Sequence, residues 1–161
     1  PLSLRPGRRL WVRPRRVVRE SRLEGAAFRL EFDAVDPREE DITPSGMDWP
    51  VSAWGETTVV DVPGTASAPF SFRLTARGAV GAPSLGDGVR TIHWMGAMEA
   101  GDVLELDGNA RTARLNGAPA DTLLAGDWPL AGPGHTSLRF EDDLDGDHLA
   151  DIHVTWRNRW W

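Results

Sequence analysis

The sequence contains no cysteine, no lysine and no tyrosine, and no apolar run that approaches the length of a membrane-spanning helix. Without cysteine, disulfide bonds, thiol catalysis, thiolate zinc sites and iron–sulfur clusters are excluded. All 18 basic residues are therefore arginine, which is typical of a GC-rich coding sequence and indicates no mechanism. A spanning helix needs about 20 apolar residues, and no leader of the signal-peptide kind is visible. We therefore expect no contact with a membrane.

The length and composition are those of a folded chain. The 161 residues suffice for one domain of ordinary size, or for one domain and part of another. Hydrophobic residues make up 40% and charged residues 26%, which is typical of a globular protein with an apolar core. The chain begins at Pro1 and an extended pattern starts almost at once. We therefore expect that an N-terminal part of a longer protein is missing.

Positive charge is concentrated at the start of the chain. The net charge is −6, yet residues 1–22 carry +7, so the remainder carries −13. A basic run of this kind can bind nucleic acid. Its only aromatic residue is Trp11, however, and arginines along a strand equally suit a subunit contact or a solvated face, which we favour. The arginines of this segment are Arg5, Arg8, Arg9, Arg13, Arg15, Arg16, Arg19 and Arg22.

Apolar and polar residues alternate along most of the chain, which predicts half-buried β-strands. In AFRLEF, the residues Phe28, Leu30 and Phe32 share one face, and residues 70–77, FSFRLTAR, alternate in the same way. Short strands separated by frequent turns predict an all-β fold, a β-sandwich or jelly roll. Further strands are predicted at residues 57–62, 89–95, 102–107 and 110–115, with turns at Gly108-Asn109, Asn116-Gly117 and Pro133-Gly134.

The stretch DLDGDHLADIHV, residues 143–154, has two interpretations. Asp143, Asp145, Asp147 and Asp151 occupy positions 1, 3, 5 and 9 of a calcium loop. A helix–loop–helix calcium site is excluded, because position 6 is His148 where glycine is needed, and position 12 is Val154 where glutamate is needed. A calcium site with fewer protein ligands stays open. We favour the other interpretation, a solvated acidic tip of a β-hairpin formed by the alternating segments on either side.

The sequence gives only weak indications of a catalytic or metal-binding site. The four histidines, His93, His135, His148 and His153, do not have the spacing of metal ligands. A serine–histidine–acid triad can be assembled on paper from Ser84 or Ser137, but no nucleophile motif accompanies either serine. We predict no enzyme activity, no cofactor and no catalytic or metal-site residue.

The eight tryptophans also have two interpretations. Exposed tryptophans are platforms for sugar rings, so Trp49, Trp54, Trp128 or the terminal pair Trp160-Trp161 could form a glycan site. The interpretation that we favour assigns Trp94, Trp128 and Trp156 to the core. It assigns Trp160 and Trp161 to anchoring the C-terminus on the first domain or on a neighbouring subunit.

The order of several motifs resembles one family. A strand ending in Asp-Pro (FRLEFDAVDP) is followed by a proline-containing link, by GDVLELDGNARTARLNG, by DWPLAGPGHTSLRF and by IHVTWRNRWW. Together these resemble the distal tail proteins of long-tailed bacteriophages, the siphovirus-type tail components. Each motif is weak alone, and their order carries the resemblance. Residues 130–134 insert one residue into the family's turn, and residues 141–149 are more acidic than is usual there.

The resemblance implies a fold and a role. Residues 1–36 would be the terminal strands of an incomplete N-terminal ring-forming (belt) β domain, residues 37–50 a linker, and residues 51–161 a galectin-like or jelly-roll β-sandwich. The protein would be a structural virion protein of the tail tip, or baseplate hub, made in the bacterial host cytoplasm. The rival function is that of a lectin-like module for a cell-surface glycan, with or without calcium.

The resemblance also implies partners. The protein would form a hexameric ring and contact the tail tube protein, the tape measure protein and the receptor-binding proteins of the tail tip. Genome DNA would pass through the ring without sequence-specific binding.

Overall fold

The computed structural model describes residues 1–22, 25–144 and 148–161, and this part of the chain is built almost wholly of β-strands. Its one helical element is a 3₁₀ turn at Asp121–Leu123. None of the described residues belongs to a helix that is long and apolar enough to cross a membrane. The strands are β1 Arg8–Arg9, β2 Val12–Arg22, β3 Gly25–Ala34, β4 Glu39–Asp41, β5 Ser45–Val51, β6 Thr57–Val62, β7 Ala68–Pro69, β8 Ser71–Ala76, β9 Val80–Gly81, β10 Ser84–Gly86, β11 Thr91–Trp94, β12 Ala97–Met98, β13 Val103–Asp107, β14 Thr112–Leu115, β15 Ala118–Pro119, β16 Leu124–Gly126, β17 Leu130–Ala131, β18 Gly134–Glu141, β19 Ala150–Trp156 and β20 Arg159–Trp160.

Two antiparallel sheets form a β-sandwich. One has six strands in the order β15-β14-β13-β8-β19-β5, and the other has five in the order β16-β11-β10-β18-β6. The inward side chains of both sheets meet in a single buried apolar cluster. Alternation places every second residue of a strand on that side, so β8 buries Phe72, Leu74 and Ala76 and leaves Arg73 exposed. The all-β sandwich predicted from the alternating pattern is confirmed.

The acidic stretch does not cap a hairpin, and that prediction was wrong. Strand β18 pairs with β6 and β10, whereas β19 pairs with β5 and β8, so the two strands lie in different sheets. Strand β18 ends at Glu141 in one sheet and β19 begins at Ala150 in the other, and packed sheets lie about 10 Å apart. Alternation on both sides of a polar stretch predicts two strands, but it does not determine which strands pair.

Residues 37–50, which the sequence pattern indicates as a linker without strands, contain two. Strand β4 pairs with β1 and β20, and β5 is an edge strand of the six-stranded sheet, paired with β19 along its whole length. The sequence signal is weak here because β5 carries Gly46 and Pro50, which are unfavourable inside a sheet and tolerated at its edge. The division of the chain into domains at residues 36 and 50 stays a prediction.

The turn predicted at Asn116-Gly117 joins β14 to β15. Its two residues have φ values of 51° and 81°, so both lie in the left-handed region that a tight hairpin turn requires. Asparagine and glycine are the residues that tolerate this region best. This short-range prediction therefore held because it depends on backbone conformation alone.

Asp87 holds the loop between β10 and β11 and ties it to β17. Its carboxylate accepts hydrogen bonds from the backbone N–H groups of Leu130, Arg90 and Val89 at 2.9, 2.7 and 2.9 Å. Burial alone would raise the pKa of Asp87, but these N–H donors and the Arg90 guanidinium lower it below its ordinary value of 3.8. The charged form is therefore stabilised by folding.

We expect Asp87→Ala to lower the free energy of unfolding by about 2 kcal/mol at neutral pH, because three backbone donors lose their acceptor. The pKa of Asp87 is lower in the folded state than its ordinary value of 3.8. This contribution to stability is therefore fully present at pH values above 3.8, and it is lost as the pH falls through the pKa of the folded state. Urea unfolding at neutral pH and below pH 3.8 measures both effects. An equal cost at both pH values would contradict the assignment to the ionised carboxylate.

Candidate assembly surface

The β2–β3 hairpin forms a sheet of its own that has no third strand in the described part of the chain. Cross-strand partners lie on the same face of a sheet, so Leu30 shares a face with Val17, and Phe32 shares it with Pro14. These side chains are largely exposed: Leu30 is 56% exposed and Phe28, on the same face, is 64% exposed. The sequence predicted a half-buried strand here, and the structure has the strand, but no other element of the described residues covers its apolar face.

The basic residues of the N-terminal segment divide into two groups. Arg5, Arg8 and Arg9 form ion pairs with Glu39 or Glu40 of β4. Four arginines of β2 are exposed, namely Arg13, Arg15, Arg16 and Arg19, and Arg15 is 3.7 Å from the carboxylate of Asp33. The first group thus stabilises the fold locally, whereas the second presents positive charge on the hairpin. Direct binding of nucleic acid stays a prediction.

Glu40 connects the start of the chain to β4. It is 6% exposed, and its Oε1 atom accepts hydrogen bonds from Arg9 Nε at 2.8 Å and from Trp11 Nε1 at 2.9 Å. A buried carboxylate must be paired in this way to offset the loss of hydration. The base of the hairpin is therefore attached to β4, which pairs with β1 and with the C-terminal strand β20, through a buried, charge-assisted contact.

The C-terminus joins the same junction. Trp160 donates from Nε1 to Asp41 at 3.0 Å, and the guanidinium carbon of Arg8 lies 3.8 Å from the centre of its ring. Asn158 also donates to Asp41, at 3.0 Å. Trp160 thus contacts Arg8 of the N-terminal segment, as the anchoring interpretation predicts, although its hydrogen-bond partner Asp41 lies in the segment predicted as a linker. Anchoring on a neighbouring subunit stays a prediction. Trp161 is 74% exposed and contacts Thr65 through its backbone N–H.

The other tryptophans divide between the core and the surface. Trp94, Trp128 and Trp156 are buried, as we expected. Trp49 is also buried, so the prediction that Trp49 or Trp128 is an exposed sugar platform is wrong. Trp54 is 56% exposed, and the guanidinium carbon of Arg139 lies 5.1 Å from its ring centre. Position in an alternating strand decides burial, and residue type alone does not.

The calcium hypothesis is only partly open to inspection, because Asp145 and Asp147 lie outside the described residues. Asp143 is exposed, and Asp151 lies in β19, where Arg77 Nε is 3.1 Å from its carboxylate. Within residues 1–22, 25–144 and 148–161, three or more carboxylates or histidines nowhere come together as a metal site would require. A calcium site at these four aspartates stays a prediction.

Beside that stretch lies a buried carboxylate. The Asp142 side chain is fully buried, its Oδ1 contacts His148 Nδ1, and its Oδ2 has no hydrogen-bond partner in the described residues. Burial raises the pKa of Asp142 above its ordinary value of 3.8, although His148 opposes this shift. The protonated form is therefore the one that folding favours.

The contribution of Asp142 to the free energy of unfolding should fall as the pH rises from 3.8 through the raised pKa of the folded state. The reason is that the folded protein binds the proton of this carboxyl group more tightly than the unfolded chain does. We expect Asp142→Asn to remove this fall, so that the variant gains stability relative to the unchanged protein as the pH rises. Urea unfolding of both proteins over this pH range measures the difference. Asp127→Asn, at an exposed carboxylate that does not contribute to the raised pKa of Asp142, is the control and should leave the pH profile unchanged.

The remaining histidines and serines do not form a catalytic group in the described residues. His153 Nδ1 is 2.6 Å from Asp48, and His135 is an exposed residue 3.8 Å from Asp61. Ser84 donates to the backbone oxygen of Glu141, and neither Ser84 nor Ser137 has a hydrogen bond to a histidine of the described residues. His93 lies in β11. The prediction that the protein is not an enzyme rests on the family and not on this absence.

Sequence reasoning missed a surface groove on the six-stranded sheet. It has a volume of about 650 Å³ and lies on the outer face of the six-stranded sheet. Arg73, Glu105, Arg114 and His153, which come from four adjacent strands, line it. Arg73 and Glu105 form an ion pair across the strands. The only signal in the sequence was the polar half of each alternating strand, which is also what a solvated sheet face requires.

The comparisons with known proteins agree with this architecture. A family model described as "Siphovirus-type tail component, C-terminal domain" matches residues 63–160, which are 98 of the 161 residues. This match confirms the resemblance inferred from the ordered motifs. A comparison with curated protein sequences finds no match.

The fold is also similar to a solved structure. That crystal structure is described as SPP1 Dit (gp 19.1), a paradigm of the hub adsorption apparatus in phages that infect Gram-positive bacteria. The TM-score is 0.76 with 14% sequence identity, and the alignment covers 98% of this chain. The chain spans 62% of the length of that structure. At this identity the similarity shows the fold.

Proposed function

The chain belongs to the siphovirus-type tail component family, and on this premise we propose that it is a distal tail protein of a long-tailed bacteriophage. In this proposal the protein is a structural part of the virion and forms a hexameric ring at the tail tip, or baseplate hub. The ring joins the tail tube to the host-recognition apparatus. The protein acts through assembly, and we assign it no catalytic role.

The exposed apolar face of the β2–β3 hairpin carries this proposal. A two-stranded hairpin is marginally stable in water unless its apolar face packs against something. Phe28, Leu30, Phe32 and Val17 are 64, 56, 41 and 64% exposed on this hairpin. Exposed apolar surface of this extent marks an interaction site. A neighbouring copy in a ring supplies the missing cover at every hairpin, because rotational symmetry repeats the contact.

The charge distribution supports the same arrangement. The first 22 residues carry +7 and the remainder −13, and exposed arginines of β2 such as Arg13 and Arg16 lie on the hairpin. A basic hairpin that meets the acidic body of the next copy gains electrostatic complementarity, which speeds association and sets its register. A head-to-tail ring uses both features at once.

The proposal assigns roles to the parts of the chain. Residues 1–36 contribute the ring contact, residues 37–50 the link, and residues 51–161 a sandwich that projects from the ring. The partners are the tail tube protein, the tape measure protein and the receptor-binding proteins of the tip. Genome DNA passes through the lumen without sequence-specific contacts.

The test is the particle mass and shape of the full-length protein that carries this chain, by light scattering and negative-stain microscopy. Six-fold rings with and without calcium are the expected result. A monomer under both conditions would contradict the proposal.

One observation favours the rival lectin function. Trp54 is half-exposed beside Arg139, whose Nη2 atom is 2.7 Å from Glu141, and an aromatic ring beside planar polar groups suits a sugar. A monomer whose melting temperature rises only with calcium or a cell-wall saccharide would favour this function. Rings that no saccharide stabilises would reject it.

A further inference from the structure

Three arginines from distant parts of the chain line one groove. Arg38 comes from the segment before β4, Arg111 from the turn between β13 and β14, and Arg159 from β20. The groove has a volume of about 320 Å³, and Trp128 and Leu130 are among its other lining residues. The groove is large enough for a small polar group, and all of its charged lining residues are arginines.

The three arginines differ in their carboxylate partners. Arg38 forms hydrogen bonds to both carboxylate oxygens of Asp36, each at 2.8 Å. Arg159 shares Glu40 with Arg9, at 3.9 and 2.7 Å. Arg111 has no ion pair with any carboxylate of the described residues. Of the three arginines that line the groove, Arg111 is therefore the one without a carboxylate partner in the described residues, and Arg159 shares its partner with Arg9.

Two of the three guanidinium groups are partly buried, whereas Arg111 is exposed. The side chain of Arg159 is 17% exposed and that of Arg38 is 31% exposed. Positive charges that are held together and partly removed from water repel each other more strongly than on an open surface. An anion in the groove would offset this repulsion.

The backbone holds Arg111 in an unfavourable conformation. Its φ is +57°, which costs free energy in a residue other than glycine, asparagine or aspartate. The turn is constrained from its other end, because a Cβ atom on Gly108 would lie 2.0 Å from the backbone oxygen of Phe70. Tight packing of Gly108 therefore sets the start of the turn, and Arg111 completes it facing the groove.

From these observations we propose that the groove formed by Arg38, Arg111 and Arg159 binds a phosphoryl group, either free phosphate or the phosphodiester of a larger molecule. A phosphate carries one to two negative charges at neutral pH, opposite in sign to the three arginines that line the groove. Guanidinium groups bind phosphate oxygens in pairs of parallel hydrogen bonds. The side chains of Ser67 and Asn109, which also line the groove, supply neutral donors.

The experiment titrates the full chain with inorganic phosphate and, separately, with glycerophosphoglycerol, at constant ionic strength, by calorimetry. The test variant is Arg111→Asn, because asparagine tolerates positive φ and the change removes the charge without adding strain. The matched control is Arg114→Asn, which removes one exposed arginine from the other groove.

We expect Arg111→Asn to weaken phosphate binding by about tenfold, the loss of one charge-assisted contact, and Arg114→Asn to leave it unchanged. The melting temperature without phosphate should be equal or higher in Arg111→Asn, which separates a lost ligand contact from a lost fold. Tighter binding of glycerophosphoglycerol than of phosphate would identify a phosphodiester as the natural ligand, and the reverse would identify free phosphate.

Absence of binding by both probes would overturn the site. Equal weakening in the two variants would also overturn it, because a general electrostatic effect would then account for the binding.

Discussion

A chain that carries Leu30→Asp and Phe32→Asp is expected to remain folded and to be monomeric under conditions in which, according to the proposed function, the unchanged protein forms rings. Both residues lie on the apolar face of the β2–β3 hairpin, and they are 56 and 41% exposed in the single chain. In the single chain the new carboxylates therefore stay in water. In the ring they would be buried without a partner, at a cost of several kcal/mol per subunit. This corresponds to a weakening of assembly by about 100-fold or more.

Light scattering measures the assembly, and circular dichroism confirms that the sandwich is folded. The matched control is Leu30→Ile with Phe32→Leu, which keeps the face apolar and should still assemble. Rings formed by the doubly aspartate-substituted chain would show that another surface holds the subunits together. That outcome would reject the hairpin contact without rejecting the tail function, because an unchanged protein that forms rings supports the latter independently.

The second large effect is expected in the core, for Phe70→Ala. The Phe70 side chain is fully buried between the two sheets, and its ring centre lies 5.8 Å from those of both Phe72 and Trp156. Its backbone oxygen also accepts the hydrogen bond of Trp128 Nε1 at 2.6 Å. Removing the ring leaves a cavity where three aromatic groups meet. We expect the free energy of unfolding to fall by about 4 kcal/mol.

Urea unfolding monitored by tryptophan fluorescence measures this loss. Val59→Ala, in β6 at a side chain that is 60% exposed, is the matched control and should change stability by less than about 0.5 kcal/mol. A cost below about 1 kcal/mol for Phe70→Ala would mean that the core collapses around the missing ring without a cavity. The contact between the two sheets at this point would then be looser than the structure describes.

Local features of the fold were predictable because each depends on neighbouring residues. The alternation of Phe72 and Leu74 with Arg73 predicts a strand with one buried face, and β8 has that pattern. Asn116 and Gly117 predict a tight turn because their backbones tolerate positive φ. The same rule assigned Phe28 and Leu30 to a buried face, and it failed there because a sequence pattern does not show whether a covering surface exists.

The candidate sites depended on contacts between distant residues and were not predictable in the same way. Nothing in the sequence near residue 111 indicates that it meets residues 38 and 159. Likewise, Glu40 is an acid in a polar segment, and only the fold buries it against Arg9 and Trp11. Long-range pairing sets these neighbours, and periodicity carries no information about it.

By itself the sequence determined the fold class, the positions of most strands and turns and, through its ordered motifs, the family. These follow from backbone preferences and from a period of two, which are local properties. Only the tertiary structure decided that β18 and β19 belong to different sheets, that Trp49 is buried while Trp54 is not, and that the hairpin leaves its apolar face uncovered. The physical reason is that a side chain is buried only when other residues pack against it, and those residues come from distant parts of the chain.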